Sequence, residues 1–401
     1  MLKFSRSLAK DDSLLDLLTD WGQSDVNSPW AGIVPWRAKT NADDKQSLFE
    51  EFHHFLPAPR DNISSFPALD PHPNVVFLPG LGVVTAAATK TEADSLLHFV
   101  VASLPVIRDI IKTGQLKRSL AGVLLSRSDL SINEVEFVGQ VALITGAASG
   151  IGSACVYQFA REGAHIVIVD LNKQNADIVA AEINRQYGSN RAISVQCDVG
   201  NETEVIETFR EMILTYGGMD IVVNNAGFAM SKTIEDTLLK EWDHIQNVMA
   251  TGYFLISREA FRILRPQRMG GRLVFVCSKN SVRAGKEIAA YSSAKALELH
   301  MARCLAEEGG NDGIRVNSVL PDAVLKGSSL FDPALRADRA AQYGISADEL
   351  ENYYIQRCVL KVPVYPEHVA EAVVFFASDR SSRTTGGALA VDGGVSTAYL
   401  R

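Results

Sequence analysis

VALITGAASGIG, Val141–Gly152, is the stretch that decides the fold: an apolar, strand-like run breaks into three glycines and a helix begins. Glycines at Gly146, Gly150 and Gly152 allow a tight turn after the strand, close approach of the backbone to a pyrophosphate, and close packing of the next helix on the sheet. The N-terminus of that helix then faces phosphate. A tight turn in any parallel α/β domain can use similar glycines, so the residues downstream of the turn decide the reading. The run HIVIVD, His165–Asp170, reads as a second strand ending in a carboxylate, the position from which an acid accepts hydrogen bonds from an adenine ribose. Leu171 and Asn172 come next, with no arginine to neutralise a 2′-phosphate. Asp170 would repel such a phosphate, so the cofactor expected is NAD.

Outward from this stretch, strands and helices alternate as a parallel, doubly wound sheet requires. Further strands are predicted at Ala192–Val199, Asp220–Gly227, Arg272–Ser278, Ile314–Pro321 and Ala388–Gly394, seven in all. Helices are predicted at Ile151–Glu162, Lys173–Tyr187, Glu202–Tyr216, Glu241–Leu264, Ile288–Glu308 and Pro366–Ala377. The segment Asp322–Tyr365 lies between the sixth and seventh strands. It reads as two short helices, with a capping box from Ser346 to Glu349 at the second, placed to cover a substrate site. The expected fold is α/β, a Rossmann-type doubly wound parallel seven-stranded sheet over residues 135–401, preceded by a smaller α/β region over residues 1–134. In that first region Ser13–Leu18 and Gln46–Phe55 are helix-like. Asn74–Val84, NVVFLPGLGVV, reads as a strand, a glycine turn and a possible second strand. A helix is predicted from Thr91 toward Gly114, broken or kinked at Pro105, and Ser126–Glu136 reads as a linker.

The chain has 401 residues, 47% apolar and 21% charged, an ordinary globular balance that excludes a disordered or fibrous protein. The net charge of -8 is spread without a basic stripe, which argues against nucleic acid as a partner. Five separated cysteines, Cys155, Cys197, Cys277, Cys304 and Cys358, form no CxxC pair and read as small core residues in a reducing compartment. No apolar run approaches the roughly 20 residues of a bilayer span, so no membrane partner and a cytoplasmic location are expected. His53 and His54 lack a third ligand nearby, so no metal site is expected.

The chemistry is carried by Tyr291 and Lys295, four apart in AAYSSAKALELHMARCLA and therefore on one helix face. Ser278 ends the fifth strand at the sheet edge where ligands collect. A tyrosine with an ordinary pKa of about 10 needs a nearby cation to act as a base near neutrality, and Lys295 supplies one. Lys279 and Asn280 come directly after the serine; they read either as recognition groups for a small polar substrate or as an exposed loop.

Taken in order, Thr145–Gly152, Asn224-Asn225-Ala226-Gly227, Ser278, Tyr291 and Lys295 resemble the short-chain dehydrogenase/reductase family over about residues 137–401. The resemblance implies that Tyr291 is the acid/base, that Lys295 lowers its pKa and holds a ribose hydroxyl, and that Ser278 orients the substrate oxygen. It also implies cofactor contacts from Gly146, Ser149, Gly150, Ile151, Gly152, Asp170, Asp198, Val199, Asn225, Ala226 and Gly227, and a homodimer or homotetramer. One departure stands out: where the family usually has NxxGxF, this chain has Met249 in VMATGYF. In the family that asparagine is thought to hold a water relaying protons to the lysine, which a thioether cannot do.

A closer resemblance, through SKNSVRAGKEIAAYSSAKALELHMARCLAEEGG (Ser278–Gly310), PDAVLKGS (Pro321–Ser328) and NVVFLPGLG, is to bifunctional proteins. These join a class II, rhamnulose-1-phosphate aldolase-type domain to a lactaldehyde-oxidising dehydrogenase. It implies that residues 1–134 are a truncated, non-catalytic aldolase-like region. The expected activity is hydride transfer between NAD and a small secondary alcohol or hydroxy-aldehyde, lactaldehyde being implied by resemblance. The alternatives are a reductase of sugar or acyl ketones, and an NAD-binding protein whose catalysis Met249 has impaired.

Overall fold

The computed structural model describes residues 4–7, 75–78, 82–86, 91, 136–267, 269–324 and 333–398. They fall into two units, one of residues up to Gly139 together with Ile213–Gly218, the other of Gln140–Met212 and the residues from Met219 on. The first contains three strands, β1 (Phe4–Ser7), β2 (Val75–Leu78) and β3 (Gly82–Ala86), in an antiparallel sheet of order β1-β3-β2. Val75 pairs with Thr85 and Leu78 with Gly82, so both strands expected in the NVVFLPGLGVV stretch are present and antiparallel, while residues 79–81 between them lie outside the described residues. The helical pieces Ser13–Leu18 and Gln46–Phe55, the run after Thr91 and the linker from Ser126 lie outside the described residues.

The second unit is built on seven strands: β4 (Val141–Thr145), β5 (His165–Asp170), β6 (Ala192–Gln196), β7 (Ile221–Asn224), β8 (Gly271–Val276), β9 (Ile314–Pro321) and β10 (Ala388–Val391). Their order is β10-β9-β8-β7-β4-β5-β6, and every neighbouring pair is parallel. This is the doubly wound Rossmann-type sheet. The order reverses between β4 and β7, which opens a crevice at the C-terminal ends of those strands. Parallel strands covered on both faces are continuous apolar runs, and all five residues of β4 are buried. Asp220 accepts the Val141 N–H at 2.7 Å, fixing where β4 starts beside β7.

The helices are α1 (Gly150–Arg161), α2 (Lys173–Tyr187), α3 (Glu202–Tyr216), α4 (Leu239–Gln246), α5 (Gly252–Gln267), α6 (Ala289–Gly309), α7 (Pro333–Gln342), α8 (Leu350–Arg357) and α9 (Pro366–Ala377). Arg315 donates to the carbonyls of Phe376 and Ser378 at 3.0 and 2.9 Å, placing a cation at the C-terminus of α9.

Three sequence expectations need correction. β6, β7, β8 and β10 stop two or three residues early, because the polar residues at their ends turn into the loops that line the crevice. The helix expected over Glu241–Leu264 is broken by a π-helical segment, Asn247–Thr251, between α4 and α5. The second helix of the Asp322–Tyr365 insertion begins at Leu350, not at a Ser346 cap. The Glu349 carboxylate instead accepts the Ser346 N–H and hydroxyl, at 2.9 and 2.8 Å, which closes the turn before the helix.

Candidate active site

The cradle forms where β4 ends. Gly146 and Gly150 have φ of +61° and +53°, conformations that L side chains rarely adopt. At Gly152 a Cβ would collide with the Gly146 carbonyl, so only glycine lets α1 pack this closely. The exposed Ser149 is the N-cap of α1, but its side chain makes no capping bond, leaving the first amides of the helix, those of Gly150, Ile151 and Gly152, to a ligand. Thr145 Oγ1 accepts from the backbone amides of Asn225 and Ala226 at 3.0 and 3.1 Å. The Asn225 amide group donates to the Thr145 and Gly146 carbonyls at 2.9 and 3.1 Å. Asn225 therefore ties the β7 loop to the glycine turn and spends its donors on backbone, while Gly227 is exposed at the crevice.

Asp170 sits on the next strand end, partly buried, with one carboxylate oxygen accepting the Ala148 N–H and the other the Asn172 N–H, both at 2.9 Å. Leu171 is exposed, and the nearby Lys173 is committed to Asp177 and Ser194. Beyond β6, Asp198 accepts the Gly200 N–H at 2.9 Å and gives its own N–H to Glu204 at 2.8 Å. Val199 is buried where a Cβ on Gly252 would touch it. These groups fit a dinucleotide: free helix amides for phosphates, a carboxylate for a ribose, and a small-residue wall between them.

Across the crevice, the structure brings Ser278, Tyr291 and Lys295 together. Ser278 is buried, and its hydroxyl oxygen accepts the Asn280 N–H at 3.1 Å, which fixes the serine at the end of β8. Tyr291, in the first turn of α6, packs with Met249, Ala290 and Ala294. The Lys295 ammonium lies 6.0 Å from the centre of the Tyr291 ring and 5.4 Å from that of Tyr253. It donates to the Val276 carbonyl and to Glu298, each at 3.0 Å. Burial lifts the Tyr291 phenol above its ordinary value, outweighing the opposite pull of Lys295 and of a hydrogen bond from Ser278. The cation is thus in place and pulls the phenol in the direction the sequence suggests, with burial opposing it. Burial works to lower Lys295; Glu298 and the neighbouring phenols more than reverse this and hold it well above its ordinary value. Glu298 is fully buried, and its carboxyl is pushed up to about 7 by burial against the pull of Lys295.

Met249 is the side chain that packs on Gly227: its sulfur lies 3.1 Å from where a Cβ on Gly227 would stand, and the Lys295 ammonium 3.8 Å from the same point. Asn247 faces Gly200 instead. Lys279 fits neither reading made from sequence. It is buried and ion-paired with Asp322, the residue after β9, and Asp322 is also paired with Arg357 at the end of α8. Burial lowers the Lys279 pKa to about 8 despite Asp322. Asn280 is partly buried in the short 3₁₀ turn Lys279–Ser281.

The model of the family described as enoyl-(acyl carrier protein) reductase matches residues 146–396, a span that includes the glycine turn, Asp170, Ser278, Tyr291 and Lys295. The chain belongs to the short-chain dehydrogenase/reductase family. An uncharacterized oxidoreductase of Bacillus subtilis, YuxG, is 47% identical over 338 residues, covering 82% of this chain and 49% of that protein. The chain thus spans about half the length of that relative. Sorbitol-6-phosphate 2-dehydrogenase of Escherichia coli is 32% identical over 257 residues, 64% of this chain and 98% of the enzyme. The crystal structure of sorbitol-6-phosphate 2-dehydrogenase from Erwinia amylovora superposes with a TM-score of 0.62 at 30% identity, covering 65% of this chain and all of that one.

As a short-chain dehydrogenase/reductase, the protein is an oxidoreductase for alcohols and ketones, and its cradle fits the nicotinamide cofactor typical of the family. Among the described residues no group of three or more His, Cys, Asp or Glu could hold a metal, and no helix is long and apolar enough to cross a membrane. His53 and His54 lie outside the described residues. Sequence reasoning missed Glu298 and the Asp322–Arg357 pair. For Glu298 the signal was present, an acid three residues after Lys295 on the same helix face. For Arg357 there was none, because 35 residues separate it from Asp322.

Proposed function

We propose that the protein is an NAD-dependent dehydrogenase acting on a small secondary alcohol or hydroxy-aldehyde, with Tyr291 as acid/base. The observation carrying this reading is the convergence of Ser278, Tyr291 and Lys295 on the crevice whose other wall ends in Asp170. Gly146, Ser149, Gly150, Ile151 and Gly152 hold the pyrophosphate; Asp198, Val199, Asn225, Ala226 and Gly227 border the adenine half; Asp170 and Lys295 hold the two riboses. NAD supplies the hydride acceptor when bound. Ser278 orients the substrate oxygen, Tyr291 takes its proton, and Lys295 stabilises the phenolate by its charge. Asp170 favours NAD over NADP because its carboxylate stands where a 2′-phosphate would bring like charge, and the nearest cation, Lys173, is already paired.

Lactaldehyde as substrate, and residues 1–134 as part of a class II aldolase-type region, rest on the sequence resemblance. The match to the Bacillus relative outruns the span of the family model, but that relative is an uncharacterized oxidoreductase and speaks for neither the substrate nor the aldolase-type region. The sorbitol-6-phosphate dehydrogenases support a sugar-derived substrate as the nearest alternative. A cytoplasmic location, supported by the free state of the five cysteines, and a homo-oligomer, which rests on the family resemblance alone, are part of the same proposal. A second reading, an NAD-binding protein of impaired catalysis, is favoured by Met249 beside Gly227 and Lys295. Steady-state turnover with NAD and with NADP against lactaldehyde, polyols and sugar phosphates tests all of these. Oxidation of none of them despite tight NAD binding would leave the second reading.

A further inference from the structure

We propose that Glu298 is a positioning residue for the proton-transferring pair, holding the Lys295 ammonium beneath Tyr291 and setting, by its own charge, how strongly that ammonium favours the phenolate. The proposal rests on the reading of Tyr291 as acid/base.

The geometry is specific. An ammonium has three donors. Two of those of Lys295 go to the Val276 carbonyl and to Glu298 Oε2 and a third reaches the Tyr253 hydroxyl, so Lys295 acts on Tyr291 through its charge. Both partners are held rigidly, one by the β8 ladder and the other within α6, three residues from Lys295. Met249, which shares the Gly227 neighbourhood with the ammonium, carries a thioether that is a weak acceptor and gives no comparable anchor. Glu298 is therefore the residue that decides where the ammonium rests.

A structural explanation is insufficient, since a buried ion pair adds little over apolar side chains of similar volume. Glu298 Oε1, moreover, is buried and makes no hydrogen bond. Polar groups face the carboxylate from each element packed on it. Lys295 and Tyr291 come from α6 itself, Tyr253 from α5, and Cys277 from the end of β8, where it is also in contact with Ser318 of β9. Tyr253 gives its hydroxyl to the Val276 carbonyl at 3.1 Å, so it shares an acceptor with Lys295 and does not neutralise Glu298. Lys295 is thus the cation on Glu298, and the negative charge of Glu298 opposes ionisation of Tyr291. Burial raises the Glu298 carboxyl to about 7, so its charge changes near neutral pH.

Glu298→Gln separates position from charge, because the amide oxygen still accepts from Lys295 while the charge is gone. In alcohol oxidation, kcat/KM rises with pH as Tyr291 ionises. This limb is expected to move about one unit to lower pH in Glu298→Gln, with the plateau kept within about threefold. Glu298→Leu removes the acceptor as well, and its plateau kcat is expected to fall more than about tenfold while NADH binding changes less. A Glu298→Gln profile that superimposes on the wild type overturns the proposal, as does a Glu298→Leu variant of wild-type kcat. Should wild type oxidise no alcohol, the activity assignment fails. The proposal is then read from the tyrosinate absorbance of Tyr291, taken as the difference from Tyr291→Phe in the NAD-bound protein. Its midpoint must fall in Glu298→Gln, and an unmoved midpoint rejects the proposal without any turnover.

Discussion

Lys279 leaves β8 one residue after Ser278 and is ion-paired with Asp322, the residue after β9, and each of the two side chains is 7% exposed. Asp322 also holds Arg357, so a single carboxylate joins two sheet strands to the end of α8. Burial alone would raise the Asp322 pKa, but Lys279 and Arg357 reverse this and hold it below the ordinary carboxylate value.

This shared carboxylate sets an order of stabilities. Asp322→Ala strands the buried Lys279 and the half-buried Arg357 and is expected to cost about 3–5 kcal/mol of unfolding free energy. Lys279→Met should cost less, because Asp322 keeps Arg357. Urea denaturation of both variants checks the order; a Lys279→Met variant less stable than Asp322→Ala would contradict it.

Cofactor choice is expected to reside in Asp170. NADH should bind at least about tenfold more tightly than NADPH, equivalent to about 1.4 kcal/mol, and Asp170→Ala should narrow the gap. Fluorescence titration of the two cofactors measures it, and equal affinities in the wild type would remove Asp170 from this role.

Replacing Tyr291 by Phe deletes one hydroxyl and little packing, so kcat should drop by at least about a hundredfold with NADH affinity nearly unchanged. Lys295→Ala should impair both quantities. Retention of most activity by Tyr291→Phe would place the acid/base elsewhere.

Stability should also depend on pH through Glu298. Its carboxyl rises from an ordinary 4.5 to about 7 on folding, so the folded protein binds this proton more tightly than the unfolded chain. The resulting stabilisation is complete below 4.5 and is lost as pH climbs through about 7. Comparing urea midpoints at about pH 5 and about pH 8, the wild type should lose more than Glu298→Gln over that interval. Parallel losses in the two proteins would exclude Glu298 as their source.

Much of this architecture was legible in the chain because buried parallel strands are written as uninterrupted apolar runs; VALIT and HIVIVD need no tertiary context to be read. The glycine turn and the spacing of Tyr291 and Lys295 were legible for a similar reason, since each depends on local backbone geometry. What escaped were features decided between distant segments. Lys279 comes after a strand and by local rules belongs in solvent, yet Asp322 and Arg357 draw it inside. Glu298 has a local signal in its i,i+3 spacing from Lys295, but it reads as a surface acid until the fold covers that face of α6 and buries the pair. Ser346 and Glu349 have the spacing of a cap, but the helix starts one residue beyond the acid.

The π-helical segment Asn247–Thr251 gives the family's departure at Met249 a mechanical meaning. A π turn holds one residue more than an α turn, and each α-helical residue advances the helix by about 100°. Deleting one residue between Asn247 and Thr251 would let α4 and α5 fuse into a single regular helix with both flanks in phase, because the π turn already absorbs the extra residue; the same deletion from a regular helix would turn one flank by about that angle against the other. α4 and α5, which carries Tyr253, would both keep their seats, while the place inside the segment now filled by Met249 would pass to another side chain. The segment thus works as a phase adjuster: the identity of the residue beside Lys295 depends on chain length at this point as much as on which amino acid occupies position 249.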